Sequence, residues 1–228
     1  MESVKDNLSR VMERIEKAIV RSRRNPAEIK LVAVSKTVEP ARIREGIEAG
    51  ISILGENYVQ EAQKKIETIG KPIAWHFIGH LQSNKAKVAV QLFDMIHSVD
   101  SVHLAEELNR RASQVDRRLK VLIEVNLARE ATKFGTDEEK LFTLVRRVKE
   151  LDHLSLEGLM TMPPFFDSPE ESRPYFIELR KWKERMEREG IPMRELSMGM
   201  SNDFEIAIEE GATYVRVGTA IFGPRKRD

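Results

Sequence analysis

The sequence predicts an α/β fold, an eight-stranded parallel (β/α)8 TIM barrel with an extra N-terminal helix. Two observations support this prediction. Eight short runs of apolar and β-branched residues alternate with stretches of helical periodicity, and such strict alternation is typical of parallel sheets. Eight repeats in 228 residues also favour a closed barrel over an open doubly wound sheet, because barrels often fill this length as one domain.

The predicted elements follow one another without a linker. An amphipathic helix is predicted over residues 2–22, because its apolar residues recur at spacings of three and four. The predicted strands lie near residues 31–35, 51–54, 74–79, 94–99, 120–125, 155–160, 194–198 and 213–217. The predicted helices between them cover residues 39–49, 57–69, 83–92, 101–115, 137–150, 170–188 and 202–210. Residues 1–228 are therefore predicted to form a single domain, with the barrel over 31–223.

Several residues mark where helices are expected to begin and end. Thr136 and Glu139 match a capping box at the start of the helix predicted over 137–150. Gly50, Gly190 and Gly211 stand where three helices are expected to stop.

The composition excludes several classes of function. The 38 basic and 37 acidic side chains nearly cancel, and no basic block interleaves with aromatic residues, which argues against a nucleic-acid partner. The chain has no cysteine, so disulfides and thiolate chemistry are excluded. We find neither a signal peptide nor an apolar run near the ~20 residues of a membrane span. We therefore expect a cytoplasmic protein without a membrane partner.

Lys36 directly follows the first predicted strand, at the end where TIM barrels place their chemistry. It shares strand parity with Val32 and Val34, so its amine is expected to point into the barrel. Apolar surroundings disfavour the ammonium form and expose a nucleophilic amine, which can condense with an aldehyde to give a Schiff base. The alternative is a structural lysine that extends to solvent or pairs with a carboxylate.

Two further strand ends match an anion site. The stretch SMGMSNDFEIAI passes from a strand through glycine to Ser201, and VRVGTAIFG passes from a strand to Gly218 and Thr219. Backbone N–H groups near glycines, with hydroxyls as extra donors, bind phosphate, and barrels often do so after strands 7 and 8. The alternative is a pair of ordinary glycine turns and helix caps. Arg216 also faces inward by parity and needs an acceptor, which is either Glu124 or a ligand.

The histidines and the proline-rich loop are interpreted differently. His76 and His80 are four apart, but on a strand and loop this is not the helical spacing of a zinc site, and no third ligand is evident. We therefore expect no metal. The stretch MTMPPFF at 160–166 is interpreted as an apolar loop that lines a pocket or covers the barrel mouth.

Taken together, these motifs resemble those of the pyridoxal phosphate homeostasis protein family. The resemblance covers nearly the whole chain. Its motifs, in order, are LVAVSKT, GENYVQEAQKK, WHFIGHLQSNK, HSVDS, VLIEVNLAREATKFG, LEGLMTMPP, LSMGMSNDFEIAI and VRVGTAIFG. The resemblance implies a barrel like the N-terminal domain of alanine racemase, with pyridoxal 5′-phosphate (PLP) bound as an internal aldimine.

Matching the motifs residue by residue gives the roles that this resemblance implies. Lys36 matches the aldimine lysine. Ser201, Gly218 and Thr219 match the phosphate site, and Arg216 matches the arginine that faces the pyridine nitrogen. The residues that match positions around the ring are Asn57, His80, Met160 and Met198.

The family resemblance implies a PLP-binding protein of vitamin B6 and amino-acid homeostasis, with PLP-dependent apo-enzymes as recipients. A cation facing the pyridine nitrogen disfavours its protonation and weakens PLP as an electron sink. Racemases of this fold take a second acid/base residue from a further β domain, whereas this chain ends at Asp228, directly after the eighth unit. We therefore expect negligible racemase activity, and a monomer. Two alternatives stay open: a weakly active PLP-dependent racemase or decarboxylase, and a class I aldolase that uses Lys36 without a cofactor.

Overall fold

The computed structural model describes residues 3–130 and 134–224. Within these residues, eight parallel strands pair in sequence order and close into a barrel where β8 pairs with β1. The strands are β1 (Lys30–Val34), β2 (Ile53–Glu56), β3 (Ala74–Phe77), β4 (Met95–Val99), β5 (Leu119–Glu124), β6 (Leu154–Met160), β7 (Glu195–Ser197) and β8 (Tyr214–Val217). The predicted barrel is confirmed.

Helices connect the strands on the outside of the barrel. They are α1 (Val4–Ser22), α2 (Pro40–Glu48), α3 (Val59–Ile69), α4 (Ala86–Leu92), α5 (Val102–Ser113), α6 (Glu138–Lys149), α7 (Arg173–Arg188), α8 (Phe204–Glu209) and α9 (Thr219–Phe222). Short 3₁₀ turns precede β1, α4 and α7. None of the helices in residues 3–130 and 134–224 has the length and apolar character needed to cross a membrane.

The extra N-terminal helix forms for the reason that its sequence indicates. Ser3 accepts a hydrogen bond from the Asp6 N–H and caps α1. Its apolar stripe is buried, from Val4 to Ile19. This stripe packs against α8 and α9, so α1 covers the region of the barrel where the chain closes on itself.

The hydrophobic core has two parts. The larger part lies between the strands and the surrounding helices. The smaller part fills the barrel interior and consists of Val32, Ile78, Met95, Leu122, Met160 and Tyr214. The remaining inward positions include four buried polar side chains, which are His76, His97, Ser197 and Arg216. A barrel interior is normally packed with branched apolar residues, so this polar group calls for a separate explanation.

The strand boundaries differ most at β2, which was predicted near 51–54 but covers Ile53–Glu56. Gly55 and Glu56, expected in the loop, therefore belong to the strand. The reason is packing: a Cβ at Gly55 would lie 2.7 Å from Val32 Cγ1, so only glycine allows β2 to approach β1 here. Gly55 and Glu56 are not part of an apolar run, so the strand predicted from apolar residues ends two residues before the observed one.

The predicted capping box at α6 is wrong. The cap of α6 is Asp137, and its side chain makes no capping hydrogen bond. Thr136 instead continues the pairing of β5, because its N–H donates to the Glu124 carbonyl and it bridges to Val125. The predicted helix ends are confirmed, since Gly50, Gly190 and Gly211 follow α2, α7 and α8 with positive φ angles of 109°, 74° and 105°.

Candidate functional site

A cavity of about 360 Å³ opens at the carboxyl ends of the strands. Six of the nine predicted site residues line it: Lys36, Asn57, Ser201, Arg216, Gly218 and Thr219. They come from the ends of β1, β2, β7 and β8, which are neighbours around the closed barrel. The cavity therefore joins the predicted amine and the predicted phosphate loops in one space.

Lys36 lies on the cavity side of the chain, as its strand parity predicts. Val32 and Val34 pack in the barrel interior, and Lys36 lines the cavity with Ser201 and Thr219. Ser35 points the opposite way and is fully buried against the helical layer. The lysine side chain itself is half-buried.

The loops after β7 and β8 place hydrogen-bond donors at the other side of the cavity. The Gly218 N–H and the Thr219 hydroxyl each lie 3.3 Å from Ser201 Oγ. These are long contacts, so the oxygens of an anion bound in the cavity can replace Ser201 Oγ as the acceptor of both donors. The Met200 N–H donates to Asp203 Oδ1 at 2.6 Å, which holds the β7 loop in this shape.

Arg216 is buried at the base of the cavity and is part of a hydrogen-bonded chain. Its Nη1 donates to Ser197 Oγ at 2.6 Å, and its Nη2 donates to the Thr161 carbonyl at 3.0 Å. Ser197 Oγ lies 2.9 Å from His97 Nδ1, and His97 Nε2 lies 3.0 Å from His76 Nδ1. These three residues and Arg216 thus form one hydrogen-bonded chain that ends on Arg216.

The direction of this chain is fixed at Arg216. A guanidinium can only donate, so Ser197 Oγ accepts from Arg216 Nη1, and its one proton and second lone pair let it either donate to His97 Nδ1 or accept from it. Between His97 Nε2 and His76 Nδ1 one nitrogen donates and the other accepts, so the two rings are not both charged. Burial favours the neutral form of both rings, since it lowers the pKa of His76 to about 4 and that of His97 well below its usual value.

Glu124 does not pair with Arg216, so that alternative is wrong. Arg216 is hydrogen bonded to Ser197 and Thr161 instead, and Glu124 affects it only through the electric field. Burial raises the pKa of the Glu124 carboxyl to about 7, although Arg216 opposes the shift. Burial likewise lowers the pKa of Arg216 to about 10, which leaves the guanidinium charged at neutral pH.

Three predicted site residues lie elsewhere than around the cavity. His80 is exposed, with its ring stacked on Phe134 at 3.7 Å and its Nδ1 3.4 Å from Asp100 Oδ2. Met160 is buried in the interior cluster. Met198 packs into the helix-facing core, because Ser197 takes the inward direction and the next residue must point outward.

The sequence interpretation missed Ser197, His97 and Asp203. Ser197 and His97 could have been found, since strand alternation places His97 inward with Met95 and Ser197 inward opposite Tyr214. Asp203 gave no such signal, because its role depends on the folded shape of the loop.

The loop after β6 covers one side of the cavity, as predicted for MTMPPFF. Met162, Pro164, Phe165 and Phe166 line the cavity. Phe166 is tethered, since its carbonyl accepts from Asn202 Nδ2 at 3.1 Å and its ring stacks on that of Tyr175. Phe165 is 79% exposed although it lines the cavity, which places it at the mouth.

The comparisons with known proteins agree with the motifs. The family model for the alanine racemase N-terminal domain matches residues 3–226. The pyridoxal phosphate homeostasis protein of Aquifex aeolicus is 47% identical over 223 residues, which cover 97% of this chain and 98% of that protein. The chain belongs to the pyridoxal phosphate homeostasis protein family. The Escherichia coli K12 member of this family is 40% identical and covers 99% of this chain and 98% of its own.

Solved structures match the barrel of this family member. PipY of Synechococcus elongatus, solved with PLP bound, has a TM-score of 0.85 at 37% identity, and the match covers 97% of this chain and all of PipY. Alanine racemase of Clostridium difficile has a TM-score of 0.73 at 16% identity and is similar in fold alone. This chain spans 58% of that racemase. Within the described residues, no group of three His, Asp or Glu side chains is placed to hold a metal ion.

Proposed function

We propose that this protein binds PLP in the cavity at the carboxyl ends of the strands, as a Schiff base with Lys36, and acts in intracellular PLP homeostasis without turning over a substrate. The observation that supports this most is that Lys36 and the Ser201, Gly218 and Thr219 donors line one cavity. PLP carries an aldehyde and a phosphate, and this cavity offers a partner to each. The family names and the PLP-bound PipY structure point the same way.

The residues present fit this cofactor. Asn57 lines the cavity, and its buried Oδ1 has no hydrogen-bond partner among the described residues. A hydrogen-bond donor on a ligand in the cavity would supply that partner. A Cβ at Gly218 would lie 3.2 Å from the Val34 carbonyl, so the lack of a side chain keeps this loop close to β1. Arg216 supplies a fixed positive charge at the base of the cavity.

Arg216 supports a holding role over catalysis. When bound, PLP can act as an electron sink, but most strongly when its pyridine nitrogen is protonated. Arg216 has only donors to offer, so it disfavours that protonation wherever it faces the nitrogen. We therefore expect no measurable exchange of the alanine α-proton by the loaded protein. Robust exchange would instead favour the racemase or decarboxylase alternative.

The central test is covalent labelling. Mixing the purified protein with PLP should give the visible absorption of a Schiff base, and borohydride should fix one pyridoxyl phosphate group on Lys36. Lys36→Ala should abolish the label while weaker binding through the phosphate loops remains. Lys30→Ala, at the opposite end of β1, is the matched control and should label as the wild type does. A label on another lysine would contradict the proposal. The absence of a visible band would also contradict it and would favour the aldolase alternative.

Two finer parts of the proposal need their own measurements. If PLP-dependent apo-enzymes are the recipients, the loaded protein should activate an apo-enzyme faster than PLP dissociates from it into solution. Equal rates would indicate release into solution only. A monomer is expected, and light scattering should give a mass near 26.2 kDa.

A further inference from the structure

A buried charged cluster lies behind Lys36, on the outer side of β1 and β2. Lys65, on α3, is at its centre. Its Nζ lies 2.8 Å from Glu56 Oε1, 2.7 Å from Glu61 Oε1 and 2.5 Å from the Ser35 carbonyl oxygen. We call Glu56, Glu61 and Lys65 the β1 clamp. All three come from the motif GENYVQEAQKK, to which the cavity itself contributes Asn57.

The clamp holds the backbone on both sides of Lys36. On one side, the Ser35 hydroxyl donates to Glu56 Oε1 at 2.6 Å and the Ser35 carbonyl accepts from Lys65. On the other side, the Thr37 N–H donates to Glu61 Oε1 at 2.5 Å. Lys36 lies between two residues that are each tied to the clamp.

The backbone conformation of Thr37 shows that tertiary contacts constrain the chain next to Lys36. The φ of Thr37 is +61°, in the left-handed region that a β-branched residue rarely adopts. Such a conformation costs on the order of 1–2 kcal/mol and persists where the surroundings determine it. The bond from the Thr37 N–H to Glu61 supplies that constraint. Here the chain turns sharply at the end of β1, and Lys36 remains directed into the cavity.

Stability alone does not explain these charges. Glu56 is 0% exposed and Lys65 is 6% exposed, and taking such a pair out of water offsets much of its attraction. Glu56 Oε2 has no hydrogen-bond partner in the described part of the chain, and burial raises the pKa of Glu56 although Lys65 opposes this. In buried positions of this kind, apolar residues of similar volume often stabilise a protein as well as an ion pair does. They could not hold the Ser35 carbonyl and the Thr37 N–H.

We propose that Glu56, Glu61 and Lys65 are positioning residues that hold Lys36 for imine formation with PLP. This inference rests on the proposed Schiff base at Lys36. A C=N double bond forms between the neutral Lys36 Nζ and the aldehyde carbon, the C=O bond breaks, and the oxygen leaves as water with the two protons of the amine. The clamp contributes to this bond alone, because it contacts the backbone around Lys36 and lies on the other side of β1 from the phosphate loops.

The test separates imine formation from phosphate anchoring. Pyridoxine 5′-phosphate has an alcohol in place of the aldehyde, so its affinity reports the anchoring alone. Lys65→Met keeps most of the side-chain volume and removes the ammonium. It should weaken PLP binding roughly tenfold or more, while the affinity for pyridoxine 5′-phosphate changes less than about twofold. The matched control is Lys71→Met, an exposed lysine after α3 that bonds to the Gln91 carbonyl, and it should change neither affinity.

A second pair of variants tests for rescue. It also keeps the inference testable if Lys65→Met fails to fold. Glu61→Ala removes the acceptor of the Thr37 N–H at a partly exposed position and should show the same selective loss of PLP affinity. Glu61→Gln keeps an oxygen acceptor and should restore most of it. In a Lys36→Ala background, Lys65→Met should no longer affect PLP affinity, because there is no amine left to position.

The outcomes distinguish this inference from the proposed function. An equal loss of both affinities in Lys65→Met and Glu61→Ala would show that the clamp only supports the fold. Unchanged PLP affinity in both variants would also overturn the inference, even with a normal label on Lys36. If the wild type forms no imine at Lys36, the proposed function itself fails.

Discussion

Ser197→Ala removes the link between Arg216 and the two interior histidines. The serine hydroxyl accepts from Arg216 Nη1 and is hydrogen bonded to His97 Nδ1, and both partners are buried. The substitution to alanine removes a single oxygen atom, so the packing of the neighbouring side chains stays the same, but both hydrogen bonds are lost. Arg216 keeps its bond to the Thr161 carbonyl, so the guanidinium is weakened in its position and not released.

The expected loss of stability follows from the two buried groups that lose a partner. A buried donor or acceptor left unsatisfied costs about 1–3 kcal/mol, and more when it is charged. Two such groups therefore predict a fall of about 2–6 kcal/mol in the free energy of unfolding. For a domain of this size, that corresponds to a fall in Tm of roughly 4–24 °C.

Urea and thermal unfolding of the ligand-free protein measure this loss. Ser155→Ala is the matched control, since the Ser155 hydroxyl donates to Glu157 Oε1 at a partly buried position and its removal should cost less than about 1 kcal/mol. The decisive comparison repeats Ser197→Ala in an Arg216→Met background, where the cost should fall by at least half. An undiminished cost in that background would refute the reasoning, because Ser197 would then not act as the partner of Arg216.

Three further outcomes are expected. The pKa of Glu124 is raised to about 7, so between pH 4.5 and pH 7 the native state keeps a proton that the unfolded chain has released. The free energy of unfolding therefore falls as the pH rises from 4.5 to 7. Glu124→Gln should therefore gain up to about 3 kcal/mol relative to the wild type between pH 5 and pH 8, and parallel urea-unfolding profiles would contradict this. Because the pKa of His76 is lowered to about 4, wild-type stability should fall as the pH drops from 6.5 to 4, and His76→Gln should lessen that fall by up to about 3 kcal/mol. Phe165→Ala should change the free energy of unfolding by less than about 0.5 kcal/mol but speed PLP release, measured by capture of the released PLP, since Phe165 is exposed and lies at the cavity mouth; an unchanged release rate would exclude a covering role.

The sequence predicts most of the architecture because each β/α unit can be recognised from the apolar pattern of its own residues. Apolar periodicity places every strand, and every helix except α9, within a few residues of its observed position, and the glycines after helices mark real turns. The predicted boundaries are wrong where the conformation of a residue depends on a contact with a residue distant in the sequence. Gly55 continues β2 because Val32 leaves no room for a side chain, and Thr136 joins the sheet because its N–H finds the Glu124 carbonyl. Neither fact is visible in the neighbouring residues.

By itself, the sequence determined the barrel, the inward direction of Lys36 and the two donor loops that share its cavity, because strand parity and glycine turns are local properties. Only the tertiary structure decided what surrounds them. It directed Met198 outward, joined Arg216 to Ser197, and placed Lys65 of α3 behind the first strand. The physical reason is that a buried polar group must find its partner wherever closure of the barrel brings one within hydrogen-bond distance, and that distance in space is not encoded by separation along the chain.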